Sequence, residues 1–264
     1  MLERVTAVEY VKAVSNGRTK PAHLVCERSG GATVEVIAKF SGNCEKRETH
    51  LARELIAACL AGDLGLPMPA PYLVTVSPEF CDAVPDPTVA EKIRASSPLA
   101  FGSTLVTGQY STWVKSNKIS TTALPTALAI LVFDGITQNP DRREGNSNCL
   151  TRGDEFRIFD HELCFSHEDV LFGWKAPWVL DGLNFLKTPE SHIFRLGLIG
   201  QTMDFSNVRA SWAGLSDARL LEYAQAVPAE WNAAASSVKA AVKLIGDARD
   251  NIDGCITEIR RVLT

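Results

Sequence analysis

The 264-residue sequence has no G-x-S-x-G, no HExxH and no GxxxxGK[ST]. Their absence argues against the common hydrolases, zinc proteases and P-loop NTPases. No apolar stretch approaches the roughly 18 residues of a membrane span, so no membrane partner is expected. The opening MLERVTAVEYV carries early charges and no apolar run, which speaks against a secretory signal. Basic excess is missing too: the net charge is -4, with no basic stripe and no recognisable helix-turn-helix. Direct nucleic-acid binding is therefore not expected. There are no repeats and no low-complexity tracts. The seven cysteines (26, 44, 59, 81, 149, 164, 255) form no CxxC pair, and their odd, scattered distribution points to reduced thiols in a cytoplasmic protein.

What is present is ordinary in composition: 45% apolar and 22% charged residues, in a chain long enough to bury a sizeable core. The segments AHLVCER and TVEVIAKF read as two strands joined by the turn Ser29–Gly31. Residues 47–64 carry Leu51, Leu55 and Cys59 at helical spacing, and Gly65 and Pro67 end that helix. PYLVTV and LAFGSTLVTG read as strands, with a short helix around TVAEKIRAS between them. From TTALPTALAILVFDGI onward the pattern turns helical, with one short strand at FRIFDHELCF and an N-cap at Ser216. These signals predict an α+β fold of two lobes: a strand-rich lobe over 1–115 with one key helix, and a mainly helical lobe over 116–264.

The chemistry concentrates in a few places. Lys39 ends a strand, and Glu54 sits at the edge of the apolar stripe of the following helix, so the two can meet. Glu48 is a competing partner. In NPDRREGNSNCL, Asp141 is followed five residues on by Asn146, and Asp160 follows the short apolar run RIF. Phosphoryl transfer from ATP needs one carboxylate to orient an acceptor hydroxyl and take its proton. It also needs an amide oxygen and a second carboxylate on Mg²⁺, a cation that prefers hard oxygen ligands. Asp141, Asn146 and Asp160 supply that set in order, and Asn148 is a rival for Asn146.

VIAKFSG, ARELIAACLAGDLGLPMPAPYLV, NPDRREGNSNCL and IFDHELCF resemble the strand, helix, catalytic and metal-binding segments of the HipA-like kinases, within the protein-kinase-like fold. The resemblance covers roughly residues 15–170. It implies ATP and Mg²⁺ as cofactors, Lys39 on the ATP phosphates, Glu54 holding Lys39, Asp141 as base, and Asn146 or Asn148 with Asp160 on the metal. Arg142, beside the base, is expected at a phosphate, and Ile37 at the nucleotide. The acceptor implied is a Ser/Thr hydroxyl on a protein, the chain itself included, and a regulatory protein partner is implied as well. The sequence departs from the kinase pattern in two places. Asp160-His161-Glu162 stands where Asp-Phe-Gly is usual, and SNGRTKP offers only Gly17 as a phosphate-loop glycine. Arg18 and Thr19 are assigned with Gly17 to that loop, where phosphate on Ser15 or Thr19 would repel ATP. A small-molecule kinase and an inactive, ligand-binding pseudokinase are the alternatives. Two further sets leave alternatives open: His161, Cys164 and His167 as a zinc site or as a strand end with one buried cysteine, and Phe165, Phe172, Trp174 and Trp178 as an aromatic platform or as packing under a loop.

Overall fold

The computed structural model describes residues 2–14, 19–170 and 172–264. Five strands close into a barrel in the order β1 (Arg4–Ala13), β2 (Ala22–Glu27), β3 (Thr33–Lys39), β5 (Leu99–Thr104), β4 (Pro71–Thr75), with β4 returning to β1 in parallel. The predicted strand-rich first third is thus a closed barrel, and closure removes the exposed edges that an open sheet would leave. β1 was not anticipated, because its alternating apolar positions are broken by two irregularities in its pairing with β2. The β2–β3 hairpin turns where expected: Gly31 adopts φ +80° while its N–H donates to the Arg28 carbonyl at 2.9 Å.

Period-two alternation along β3 sets up the site. Val36 and Ala38 face the barrel interior, where they join Leu24, Val74 and Ala100. Ile37 and Lys39 therefore point to the opposite face. Lys39 is in register with Phe101 of β5.

Helix α1 (Glu48–Asp63) follows a short 3₁₀ turn and is buried nearly all round. Glu48 in its first turn favours the N-terminal dipole, and Gly65 at φ +69° lets the chain leave. Two short helices, α2 (Pro78–Asp82) and α3 (Pro87–Arg94), are capped by Ser77 and Asp86, each with a proline in the first turn. The rest of the chain holds α4 (Leu124–Ile136), α5 (Arg195–Leu198), α6 (Ser206–Ala213), α7 (Asp217–Ala226), α8 (Ala235–Asp250) and α9 (Ile252–Val262). A small sheet of β6 (Ser111–Thr112), β7 (Cys149–Arg152) and β8 (Glu155–Ile158) lies beside them. Ser216 caps α7 as predicted, accepting from the Arg219 N–H at 3.1 Å.

The core falls into two clusters. One fills the barrel. The other runs from α1 through α4 to the C-terminal helices, so α1 shares its apolar surface with the helical part of the chain. Trp231, buried in that second cluster, donates its indole N–H to the Leu99 carbonyl of β5 at 3.1 Å. Among the described residues no helix is long and apolar enough to cross a membrane. All seven cysteines are unpaired.

Candidate active site

Lys39 emerges from the barrel into a nest of carboxylates. Its ammonium is 2.8 Å from Glu54 Oε2, 3.3 Å from Glu162 Oε2, and in direct contact with Asp160. Glu54 is the helix partner; Glu48 lies near Arg47 instead. Burial alone would lower the Lys39 pKa, but Asp160, Glu54 and Glu162 outweigh it and hold the amine well above the usual lysine range. Glu54 is buried as well. Burial would raise its carboxyl, and Lys39 together with His161 drives it far below the normal range instead. The His161 backbone N–H donates to Glu54 Oε2 at 2.8 Å, and the His161 ring lies 3.5 Å from Oε1. The histidine in Asp160-His161-Glu162 thus ties the metal-type segment to α1.

Oxygen atoms of Glu54, Asp160 and Glu162 lie within 4.8 Å of one another. Three carboxylates around one ammonium leave excess negative charge. Desolvation, reinforced by Asp160 and Glu54, pushes Glu162 up to about 7 against the pull of Lys39. Hard oxygen donors in a charge-deficient cluster fit Mg²⁺ in kind. Among the described residues this is the one such cluster of His, Cys, Asp and Glu, and His161, Cys164 and His167 do not assemble a zinc site. Nothing in the sequence pattern singled out Glu162; its position two residues after Asp160 was the available signal.

The loop between α4 and β7 is held from below. Asp134, the lone acid in the apolar run ILVFDGI, is fully buried in α4. It accepts from Asn139 Nδ2 at 2.7 Å, from Arg142 Nε at 2.6 Å and lies 3.0 Å from His192 Nε2. Asn139 Oδ1 in turn accepts the Asp141 N–H at 3.1 Å. Arg142 also donates to the carbonyls of Asn148 and Phe159. The expectation that Arg142 touches a phosphate is therefore corrected: its guanidinium has no solvent exposure and is consumed in joining α4, the loop and the residue before Asp160. Sequence reasoning missed Asp134 and His192, although a carboxylate inside an apolar helix was a visible signal.

Asp141 receives a hydrogen bond from Asn148 Nδ2 at 3.1 Å, while Asn146 Nδ2 donates to the Asp141 carbonyl at 3.4 Å. Asn148 and Asp160 hold φ of +43° and +62°, left-handed values that Asn and Asp tolerate better than most residues. Both asparagines, Lys39, Glu54 and Asp160 line one cleft of about 480 Å³. Thr19, Ile37, Phe101 and Leu150 line it too. Ser15, Gly17 and Arg18 of the expected phosphate loop lie outside the described residues. Of the aromatic set, Phe165 is core, Trp178 packs against the core, and Phe172 is almost fully exposed, so the four do not form one platform.

A barrel-borne lysine held by a helix glutamate, facing an Asp–Asn loop and a metal-type aspartate, defines a chain of the protein-kinase-like class. The HipA-like kinase family model matches residues 7–252, and the chain belongs to that family. Among solved structures it is similar to a Helicobacter pylori proinflammatory kinase, CtkA, with a TM-score of 0.52 and 12% identity over 98% of this chain and 96% of that one. That likeness is one of fold. No curated protein matches this sequence.

Proposed function

We propose that this HipA-like kinase is an ATP- and Mg²⁺-dependent phosphotransferase whose acceptor is a Ser/Thr hydroxyl on a protein. The observation that carries the reading is Lys39 gathered with Glu54, Asp160 and Glu162 in a cleft that also presents Asn146 and Asn148. In this reading residues 1–115 and 116–264 are the two lobes, and the cleft between them takes the nucleotide. Ile37 and Leu150 offer apolar faces to a planar base. Lys39, oriented by Glu54, takes the phosphates. Asp160, Glu162 and one of the asparagines hold Mg²⁺, which when bound neutralises charge on the phosphate oxygens. Asp141 orients the acceptor hydroxyl and receives its proton. Asn148, donating to Asp141, keeps that carboxylate aimed. Thr19 lines the cleft at its proposed phosphate end. The unpaired thiols fit a reducing, cytoplasmic setting. A regulatory protein partner is part of the same reading.

The nucleotide half of the proposal is tested by thermal shift. ATP with Mg²⁺ is expected to raise the Tm of the wild type and not that of Lys39→Met. The shift should also depend on pH. The folded state keeps a proton on Glu162 up to about 7, whereas an unfolded chain loses it near the ordinary glutamate value of about 4.5. Through that window the raised carboxyl makes the ligand-free fold less stable as pH rises. A divalent cation displaces the same proton, so Mg²⁺-dependent stabilisation should be larger at pH 8 than at pH 6, and Glu162→Gln should remove the difference. An equal shift in wild type and Lys39→Met would overturn the assignment of the cleft.

A further inference from the structure

A second cavity, about 700 Å³, lies across the loop that carries Asp141. Thr112, Gly145 and Ser147 line both this cavity and the nucleotide cleft, so the loop is the wall between them. Whatever sits in the second cavity lies against Arg143 and Glu144, two and three residues after the proposed base, and a wall's thickness from the proposed nucleotide cleft.

Its lining has a definite chemistry. Lys115, Lys118 and Arg143 supply three cations, and Glu144 a single carboxylate. Glu144 is already 2.9 Å from Lys115 Nζ. No carboxylate among the described residues pairs with Lys118 or Arg143, and both are exposed. Trp113, Ile119 and Ile193 give the cavity an apolar floor, and the half-exposed Val114 and Leu196 continue that surface at the rim. The Ser147 hydroxyl, in the shared wall and more than nine-tenths buried, has no hydrogen-bond partner among the described residues. A buried hydroxyl is costly to leave unpaired, and this one sits in the wall that the cavity shares with the cleft.

We infer that this cavity is the acceptor site and that it takes an extended protein segment in which the Ser or Thr is flanked by acidic and apolar side chains. The charge is complementary: Lys118 and Arg143 meet the acidic group, as opposed patches do across interfaces. The apolar floor running out to a half-exposed rim favours a polypeptide over a compact metabolite, which would leave Val114 and Leu196 uncovered. The inference rests on the phosphotransferase reading and adds the acceptor's character to it. The step itself is ordinary transfer: the acceptor oxygen bonds to the γ-phosphorus, the bond from that phosphorus to the bridging oxygen breaks, ADP leaves, and the hydroxyl proton passes to Asp141.

The test uses the full chain, ATP, Mg²⁺ and a set of short peptides with one Ser and with Glu, Arg, Leu or Ala at each flanking position. Peptides with Glu and Leu flanks are expected to be labelled best. Lys118→Glu, a change at an exposed side chain, should raise KM for the Glu-flanked peptides about tenfold and lower it for Arg-flanked ones. ATP-induced thermal stabilisation should not change in that variant. Labelling that prefers Arg flanks, or a flank preference that Lys118→Glu leaves unmoved, overturns the inference. A protein that turns over ATP yet labels only a small-molecule hydroxyl, or no peptide at all, overturns it while leaving phosphotransfer standing. A protein that neither binds nor turns over ATP removes the underlying reading and the inference together.

Discussion

Asp134→Ala is expected to destabilise the chain by about 3–5 kcal/mol, because it strands the Arg142 guanidinium in a site with no solvent exposure. That is a large share of the 5–15 kcal/mol typical of a folded domain, so partial unfolding at ambient temperature is the visible result. Urea denaturation monitored by the buried tryptophans measures it. The acid limb of stability carries the same signature. Burial would raise the Asp134 carboxyl, and Arg142 with His192 holds it far below the usual range instead. A depressed carboxylate contributes stability that is complete above its unfolded pKa of about 3.9 and is lost as pH falls below that. The charge-free pair Asp134→Leu with Arg142→Leu should lose less than the sum of the single changes, since neither partner is left buried and charged. A single Asp134→Ala variant within about 0.5 kcal/mol of wild type would contradict this account of the loop.

Asp141→Asn carries the largest expected effect on activity. General base catalysis is worth about 10²–10⁴-fold, and kcat should fall by that order. KM for ATP should move little, because Asp141 does not line the cleft that holds Lys39 and Asp160. The fold should be spared: an asparagine oxygen can still accept from Asn148 Nδ2, as the carboxylate does at 3.1 Å. An unchanged Tm with lost turnover separates a chemical role from a structural one. Full activity in Asp141→Asn would remove it as the base.

Much of the site was legible because its residues are punctuated by local pattern. Lys39 is fixed by alternation along a recognisable strand, and Glu54 by its place on an apolar helix stripe; the structure brings them to 2.8 Å. Asp141, the two asparagines and Asp160 stood out as polar residues between apolar runs, and the structure gathers Asn146, Asn148 and Asp160 in one cleft. What was not legible depends on pairing between distant segments. Arg142 looked like a ligand residue because sequence shows charge but not direction, and its partners Asp134 and Phe159 lie on helix α4 and in the segment just after β8. Barrel closure was hidden for a similar reason: β4 meets β1 in parallel across some sixty residues of chain, and no local signal marks that contact. Glu162 gains its character only from burial among other carboxylates, which spacing alone does not reveal.

Phosphate transfer in this cleft should depend on Asp160. Incubation with γ-labelled ATP and Mg²⁺, alone and with a protein acceptor mixture, tests it most directly when wild type is set beside Asp160→Ala. Labelled protein and ADP release are expected from the wild type, and neither from Asp160→Ala, with both proteins folded by circular dichroism. Equal labelling by the two proteins, or a wild type that neither binds nor turns over ATP, would contradict it.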